Sequence, residues 1–345
     1  MSKTNPGAFF EDFRVGQTIR HATPRTLTAG DAAVYMSLYG PRFAVQSSDA
    51  FAAAIGYPRA PLDDLLVFHV ALGKTVPDIS LNAVANLGYA HGRFLGAVYP
   101  GDTLAVASDV IGLKENANRE TGIVYVRSQA ATQRGAVVLD YVRWAMVRKR
   151  DRTAPAPDPI IPKLTDRVAP ESLGQAVPPL AAERYDFGLA GAPYRWGDYT
   201  VGERIDHVDG VAVEEAEHQM ATRLYQNTAK VHFNRHTEST GRFGQRLAYG
   251  GVVISLARTL SFNGLANAFH IAAINGGRHV APCFAGDTVY AWSEILEKAE
   301  IPGRSDIGVL RARLMAVKNR NCTDFPRDGA EGVILDLDLW LVLPR

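Results

Sequence analysis

The sequence is poor in cysteine, in net charge and in long apolar segments. Its 345 residues include only Cys283 and Cys322, so no disulfide framework is implied and a reducing compartment fits. A formal net charge of +1 argues against a general nucleic-acid or membrane surface, because both need a concentrated basic excess. No apolar run reaches about 18 residues, and the N-terminus lacks the apolar core of a signal peptide. These absences predict a cytoplasmic protein that binds neither nucleic acid nor membrane.

Common cofactor motifs are missing as well. No G-x-G-x-x-G follows a predicted strand and no Walker sequence occurs, which argues against dinucleotide and P-loop sites. There is no H-E-x-x-H, and no Cys/His set has zinc spacing. His232 and His236 are spaced for one helical face, but no third ligand can be identified for a metal. We therefore predict no metal and no separate cofactor.

The most informative feature that is present is an internal repeat. Residues 12–21 read D-F-R-V-G-Q-T-I-R-H, and residues 198–207 read D-Y-T-V-G-E-R-I-D-H. Further matches follow at nearly the same offset, among them Tyr39 with Tyr225. A G-D-T triplet that begins at Gly101 likewise recurs at Gly286. Self-similarity over this length predicts one fold present twice.

A proline-rich segment separates the two copies. Eight prolines lie within residues 150–193. Proline fixes φ and removes an N–H donor, so this segment cannot be a central strand or a long helix. We predict a first copy over residues 1–149, a crossover linker over residues 150–193 and a second copy over residues 194–345.

Each copy shows the same order of predicted elements. A long apolar stretch, Pro61–Val76 in the first copy and Leu247–Leu265 in the second, predicts a buried helix. Strand-like runs follow in both copies, at Thr121–Val126, Val137–Val147, Asp306–Leu310 and Val333–Val342. The spacings leave no room for helices between these strands, so a parallel sheet is excluded. The pattern predicts an α+β fold in which each copy wraps an antiparallel sheet round a central helix.

The loop after the paired tyrosines differs between the copies. The first copy reads Y-G-P-R-F-A-V-Q where the second reads Y-Q-N-T-A-K-V-H. Asn227 and His232 therefore stand where the first copy has Pro41 and Gln46. Of these side chains only histidine exchanges protons near neutral pH. If one copy is catalytic, we expect it to be the second, with the first copy degenerate.

This loop resembles that of the MaoC-like, hydratase-2 branch of the hotdog-fold proteins. The family loop reads G-D-x-N-P-x-H, which puts Asn227 at the family's Asp position and His232 at its His position. Residues 278–288, R-H-V-A-P-C-F-A-G-D-T, resemble the family segment that ends P-G-D-T. Residues 10–16, F-E-D-F-R-V-G, resemble its usual opening. The resemblance covers nearly the whole chain and implies a double hotdog, two tandem hotdog repeats.

The resemblance also implies an activity, the reversible hydration of an enoyl-CoA thioester by a hydro-lyase. Residues 76–90 and 225–234 resemble the branch that converts mesaconyl-CoA to 2-methylmalyl-CoA. An acyl-CoA thioester would then be the partner, and CoA would belong to the substrate rather than act as a cofactor. Because hotdog relatives usually self-associate, a homo-oligomer is expected.

The resemblance assigns the catalytic roles to the second copy. His232 is expected to move the proton, and Asn227 to orient the water or the product hydroxyl through hydrogen bonds. Gly250 and Gly251 open the second apolar helix, where they let a thioester approach closely. The backbone N–H of Gly251 is expected to stabilise the negative charge that develops on the thioester oxygen.

Other residues are assigned to anion binding and to a substitute acid. Lys230 and Arg278 are expected to bind the substrate carboxylate and the CoA phosphates. Because an amide is not a general base, the acid could come from elsewhere. In the related hotdog dehydratases of fatty-acid synthesis, an acidic residue on the central helix faces a histidine, so the resemblance implies candidates on the first apolar helix. His69, Asp63 and Asp64 are the candidates there.

Two other functions stay open. The hotdog fold also supports thioesterases, although hydrolysis needs a carboxylate-activated water and the loop has Asn and His instead. A non-catalytic acyl-CoA-binding protein is the other alternative, and Asn227 favours it. Structural roles are also open for these residues: a buried, satisfied histidine at His232, a turn residue at Asn227, a tight helix entry at Gly250 and a structural salt bridge at Arg278.

Overall fold

The computed structural model describes residues 3–345, in which a single antiparallel sheet has ten strands. The strands are β1 (Thr18–Thr26), β2 (Ala83–Phe94), β3 (Thr103–Glu115), β4 (Thr121–Thr132), β5 (Val137–Arg148), β6 (Arg204–Ala212), β7 (His270–His279), β8 (Thr288–Glu300), β9 (Ile307–Lys318) and β10 (Val333–Pro344). Their order is β1-β3-β4-β5-β2-β7-β10-β9-β8-β6. The two halves of this order mirror each other, and the central pairing of β2 with β7 joins the two copies.

Helices lie mainly against the inner face of this sheet. They are α1 (Ala29–Tyr39), α2 (Ala44–Ser47), α3 (Asp49–Ala54), α4 (Asp64–Thr75), α5 (Glu215–Leu224), α6 (Arg235–Glu238), α7 (Gly250–Leu260) and α8 (Phe262–Leu265). The long apolar stretches became α4 and α7, as predicted, and every residue of α4 from Leu65 to Thr75 is buried. None of the helices in residues 3–345 is long and apolar enough to cross a membrane.

The predicted α+β class, with each sheet wrapped round a central helix, is confirmed. The antiparallel strands of each copy enclose one apolar helix, and α4 contacts α7 at the junction of the copies. The strands are longer than the sequence pattern indicated, since the run predicted at Asp306–Leu310 extends to Lys318. The alternation of apolar and polar residues does not mark the full length of this strand, because β9 is buried on both faces along most of its length.

Histidines that occur in both copies have the same structural role in each. His21 Nε2 lies 2.8 Å from Ser108 Oγ, and His207 Nε2 lies 2.8 Å from Ser293 Oγ. Each bond ties the first strand of a copy to its neighbouring strand in the sheet. Burial lowers the pKa of both histidines, that of His207 to about 4, so both are neutral at pH 7.

The segment between the copies packs on the outer face of the sheet. Residues 150–193 contain short 3-10 turns and one isolated bridge, but neither a strand nor a long helix. Val168, Leu173 and Val177 are buried in one cluster with Trp340, whose indole N–H donates to the carbonyl oxygen of Val168 at 3.0 Å. The segment thus packs on part of the outer face, in a cluster that also includes residues of α2 and α3.

Candidate active site

His232 ends a short 3-10 turn, Lys230–His232, that follows α5. Its Nδ1 lies 3.0 Å from the carbonyl oxygen of Leu247. A carbonyl oxygen only accepts, so Nδ1 carries the proton in the neutral ring and Nε2 keeps its lone pair. The main chain therefore fixes the tautomer in which Nε2 can act as a base.

The surroundings of His232 keep it neutral. Burial of the ring lowers the pKa of His232 to about 4, against the opposing effect of the Leu247 hydrogen bond and with a smaller contribution from nearby His218. The ring stands edge-on to Tyr249, with centroids 5.4 Å apart. The residue as a whole is only half-buried, so one edge stays accessible. A neutral imidazole with one accessible edge suits proton transfer with a bound substrate.

Two glycines form the N-terminus of α7 beside this histidine. As the first residues of the helix, Gly250 and Gly251 have N–H groups without an acceptor inside it. A Cβ on Gly250 would collide with Nε2 of His279. A Cβ on Gly251 would collide with the Tyr249 ring and lie 2.8 Å from Nδ1 of His69. A side chain at either position would therefore displace these rings, and the two N–H groups at the helix start are available to a ligand.

His279, at the end of β7, belongs to the same group and was not predicted from the sequence. Its Nε2 is buried and has no hydrogen-bond partner within residues 3–345. Burial lowers the pKa of His279 to about 4, with a further contribution from His232. A comparison of the two copies could have revealed His279, because it follows Arg278 where Phe94 follows the matching Arg93.

Of the three reserve candidates, only His69 lies at this site. It is fully buried on α4, its Nε2 is 3.2 Å from Ser255 Oγ, and its ring packs against Tyr249 with centroids 5.7 Å apart. Burial lowers the pKa of His69 to about 3, and His279 adds to the effect. The rings of His232, His279 and His69 thus surround the start of α7.

Asp63 and Asp64 are engaged elsewhere, at the start of α4. The carboxylate of Asp63 accepts a hydrogen bond from the N–H of Leu65 at 2.8 Å, which is a helix cap. Burial and the adjacent charge of Asp64 raise the pKa of Asp63 to about 6. Asp64 binds Nδ1 of His270 at 2.9 Å and the N–H of Ile271 at 2.8 Å. These contacts give both carboxylates structural partners.

Asn227 is buried in the loop between α5 and His232. Its Oδ1 accepts from the N–H of Ala229 at 3.0 Å, and its own N–H donates to the carbonyl oxygen of Thr222 at 2.9 Å. The loop lies against the first copy, because a Cβ on Gly73 of α4 would collide with the carbonyl oxygen of Tyr225. With Oδ1 turned to the main chain, the side-chain NH₂ is the group left to donate to a ligand.

The two cations predicted to bind anions have different surroundings. Lys230 is exposed on the turn that carries His232. Arg278 points to the other side of β7 from His279, where it pairs with Asp328 and lies 3.8 Å from Asp336. The structure therefore does not bring Arg278 to His232, and its partners are those of a structural ion pair. No group of His, Cys, Asp and Glu within residues 3–345 is arranged to hold a metal ion.

Comparison with known proteins identifies the family. The family model described as mesaconyl-CoA hydratase matches residues 2–325. The chain is 62% identical to the beta-methylmalyl-CoA dehydratase of Chloroflexus aurantiacus, covering 100% of this chain and 99% of that protein. It is 59% identical to the mesaconyl-CoA hydratase of Cereibacter sphaeroides, covering 99% and 100%.

The chain belongs to the mesaconyl-CoA hydratase family.

Solved structures agree with this family and with its fold. A MaoC domain dehydratase from Chloroflexus aurantiacus superposes with a TM-score of 0.97 at 62% identity, over 100% of this chain and 99% of that one. A Mycobacterium tuberculosis protein with a double hotdog fold superposes with a TM-score of 0.75 at 26% identity, over 98% and 99%. The predicted MaoC-like family and the predicted double hotdog are both confirmed.

In this member of the mesaconyl-CoA hydratase family, the first-copy loop is tied into the fold. The amide of Gln46, which stands at the position of His232, donates to the carbonyl oxygen of Phe269 at 2.6 Å. Phe43 stacks on the guanidinium of Arg258, 3.8 Å from the ring centroid. These contacts support a first copy without a reaction centre, which stays a prediction.

Proposed function

We propose that the chain catalyses the reversible addition of water to mesaconyl-CoA, giving 2-methylmalyl-CoA, at the N-terminus of α7. Family membership carries the reaction class, since the relatives named as hydratase and dehydratase are hydro-lyases. The single observation that carries the site is the bond from His232 to the Leu247 carbonyl, because it leaves Nε2 as a free base beside two unsatisfied helix N–H groups.

In the forward reaction, Nε2 of His232 takes a proton from water as the water oxygen bonds to C3 of the enoyl group. Electrons move to the thioester oxygen, and C2 then takes the proton back from the protonated His232 as the C=O bond re-forms, so that one water is added in total and His232 returns to its neutral form. The N–H of Gly251 stabilises the oxyanion, and one such donor is worth about 3–4 kcal/mol of barrier. The glycines allow the thioester to approach these donors.

Asn227 and Lys230 serve the bound substrate in this scheme. The NH₂ of Asn227 donates to the attacking water or to the product hydroxyl, and so orients an oxygen that His232 deprotonates. Lys230, exposed on the same turn, pairs with a phosphate of CoA as a point charge. Self-association beyond the two tandem copies remains a prediction.

One assay separates this reaction from its alternatives. The full chain is incubated with mesaconyl-CoA while loss of the enoyl-thioester absorbance and release of free thiol are followed together. Loss of absorbance without thiol release is the expected result. Thiol release would indicate a thioesterase, and no reaction at high enzyme concentration would indicate an acyl-CoA-binding protein.

A further inference from the structure

Arg143 is a buried cation that the reaction scheme above leaves without a role. It lies on β5, is 1% exposed and faces the interior of the first copy. Its guanidinium donates to neutral oxygens: Thr75 Oγ1 at 2.8 Å, Ser80 Oγ at 3.2 Å and Asn86 Oδ1 at 3.3 Å. Its Nε has no partner, and within residues 3–345 no ion pair joins it to a carboxylate.

Three other arginines of the sheet have carboxylate partners. Arg127, Arg311 and Arg313 each bind an aspartate at 2.6 Å. The carboxylate of Asp78, in the turn that follows α4, binds His21 at 2.8 Å instead of Arg143. An unpaired buried guanidinium costs several kcal/mol of folding free energy, so a site that keeps one is suited to a ligand that brings the anion.

Arg143 is specific to one copy. The strand reads L-D-Y-V-R-W at residues 139–144 and L-D-L-D-L-W at residues 335–340, which places Arg143 opposite Leu339. Leu339 is an ordinary buried core residue. The first copy, which lacks the reaction loop, thus has a buried cation at a position where the second copy has leucine.

Two tyrosines link this cation to the reaction centre. Tyr249, which precedes α7 and packs on His232, has a buried hydroxyl without a hydrogen-bond partner within residues 3–345. Burial raises the pKa of Tyr249 well above its ordinary value, and the charge of Arg143 opposes this rise. The charge of Arg143 likewise opposes the rise in pKa that burial causes at Tyr89. The ring centroids of Tyr89 and His279 lie 6.1 Å apart.

The end of α4 gives a second link. Thr75, which accepts from Arg143, lies two residues after Gly73, whose backbone contacts the loop of Asn227. The guanidinium is therefore bonded to the same end of α4 that contacts this loop, and its charge acts on Tyr249 and Tyr89. Mesaconyl-CoA carries a free carboxylate on C3, the carbon that the water attacks, so this group must lie within a few bonds of the reaction centre.

We propose that Arg143 binds the free carboxylate of the substrate, so that the first copy selects a dicarboxylic acyl group while the second copy carries out the hydration. This inference rests on the proposed function. Arginine suits the task because its planar fork binds a carboxylate through two hydrogen bonds. A substrate that lacks the carboxylate would leave the buried charge unpaired.

The test compares two substrates that differ at one group. Mesaconyl-CoA is set against 2-methylcrotonyl-CoA, in which a methyl group replaces the carboxylate. In Arg143→Gln we expect kcat/KM for mesaconyl-CoA to fall about 100-fold to 1,000-fold, as for loss of one partner of a buried charge pair. For 2-methylcrotonyl-CoA we expect kcat/KM of the same variant to change less than about 3-fold or to rise, because this substrate has no carboxylate to pair with the buried charge that the variant removes. For Arg143→Lys we expect kcat/KM for mesaconyl-CoA to lie between those of the wild type and Arg143→Gln, since lysine keeps the charge but cannot bind a carboxylate through two parallel hydrogen bonds.

The control is Arg127→Gln, which removes an ion pair with Asp140 on the other face of the sheet and should leave the ratio of the two substrates unchanged. Equal losses for both substrates in Arg143→Gln would overturn the inference, because they would indicate a structural role. If the variant does not fold, the wild-type ratio decides: similar kcat/KM values for the two substrates contradict carboxylate recognition. Failure of the wild type to hydrate mesaconyl-CoA would instead refute the proposed function, and this inference with it.

Discussion

The hydroxyl groups of Tyr39 and Tyr225 lie 3.0 Å apart at the junction of the two copies. The two residues occupy matching positions in the repeat, and both are buried. Burial raises the pKa of each tyrosine, so both hydroxyls are neutral and one donates to the other. This contact fixes the start of the second-copy loop against the first copy, just before Asn227.

A double-mutant cycle should show that the two hydroxyls act as a pair. Tyr39→Phe or Tyr225→Phe alone leaves a buried hydroxyl without its partner, and we expect each to lower the free energy of unfolding by about 1–3 kcal/mol. The double variant removes both groups and should cost less than the sum of the single changes, with a coupling of about 1 kcal/mol. Chemical denaturation measures all three, and additive losses would contradict the pairing.

His232 should be essential where Gln46, at the same position of the first copy, is not. His232→Ala removes the base, and we expect kcat for mesaconyl-CoA to fall at least about 100-fold. His232→Asn, whose amide can still donate towards the Leu247 carbonyl, should be equally inactive because it lacks Nε2. Gln46→Ala should retain most of the activity. Comparable losses at both positions would disprove a single active copy.

A methyl group added at the start of α7 should damage the site more than the fold. In Gly250→Ala the Cβ meets the ring of His279, so the ring or the helix end must move. We expect kcat to fall about 100-fold, as is typical when reacting groups are displaced by about 1 Å, while stability falls by about 1–3 kcal/mol. Gly197→Ala is the matched control, because no atom lies within 4 Å of the added methyl there. Full activity in Gly250→Ala would argue against a thioester bound at this helix end.

Most of the fold could be predicted from the sequence, and only part of the site. The repeat, the apolar stretches and the alternating strands predicted two copies, each with a sheet round a helix, because those patterns reflect burial directly. Asn227 and His232 were visible because the matching loop of the first copy has Pro41 and Gln46 in their places. The orientation of Arg278 was hidden, since only the strand direction shows that it faces away from His279. Arg143 was also hidden, because its lack of a carboxylate partner depends on tertiary contacts.

Acid should destabilise the protein in a pH range set by buried histidines. Burial lowers the pKa of His207, His218, His232 and His279 to about 4, against about 6.5 in an unfolded chain. Between these values the unfolded chain binds protons that the folded chain does not, so stability is complete above about pH 6.5 and falls towards pH 4. The pKa of Asp63 is raised to about 6, so this residue adds stability as the pH falls through that value. It is one group against four histidines, so the net effect of acid is a loss of stability.

The melting temperature should therefore drop by about 5 °C or more from pH 7 to pH 5. Differential scanning fluorimetry across this range measures it. His218→Gln removes one of these groups and should make the pH dependence shallower than in the wild type. His236→Gln, at an exposed position on α6, is the control and should leave the slope unchanged. A melting temperature that is flat from pH 7 to pH 5 would refute the assignment of neutral buried histidines.

Replacing Asn227 by Asp separates its two roles. Aspartate keeps an oxygen that can accept from the N–H of Ala229, so the turn should form and stability should stay close to that of the wild type. It lacks the NH₂ that we expect to donate to the water or product hydroxyl, and kcat should fall about 10-fold or more. Asn227→Ala removes both groups and should lose activity and, by about 1 kcal/mol, stability as well. An Asn227→Asp variant as active as the wild type would reduce Asn227 to a turn residue, or show that a carboxylate base serves equally well at this position.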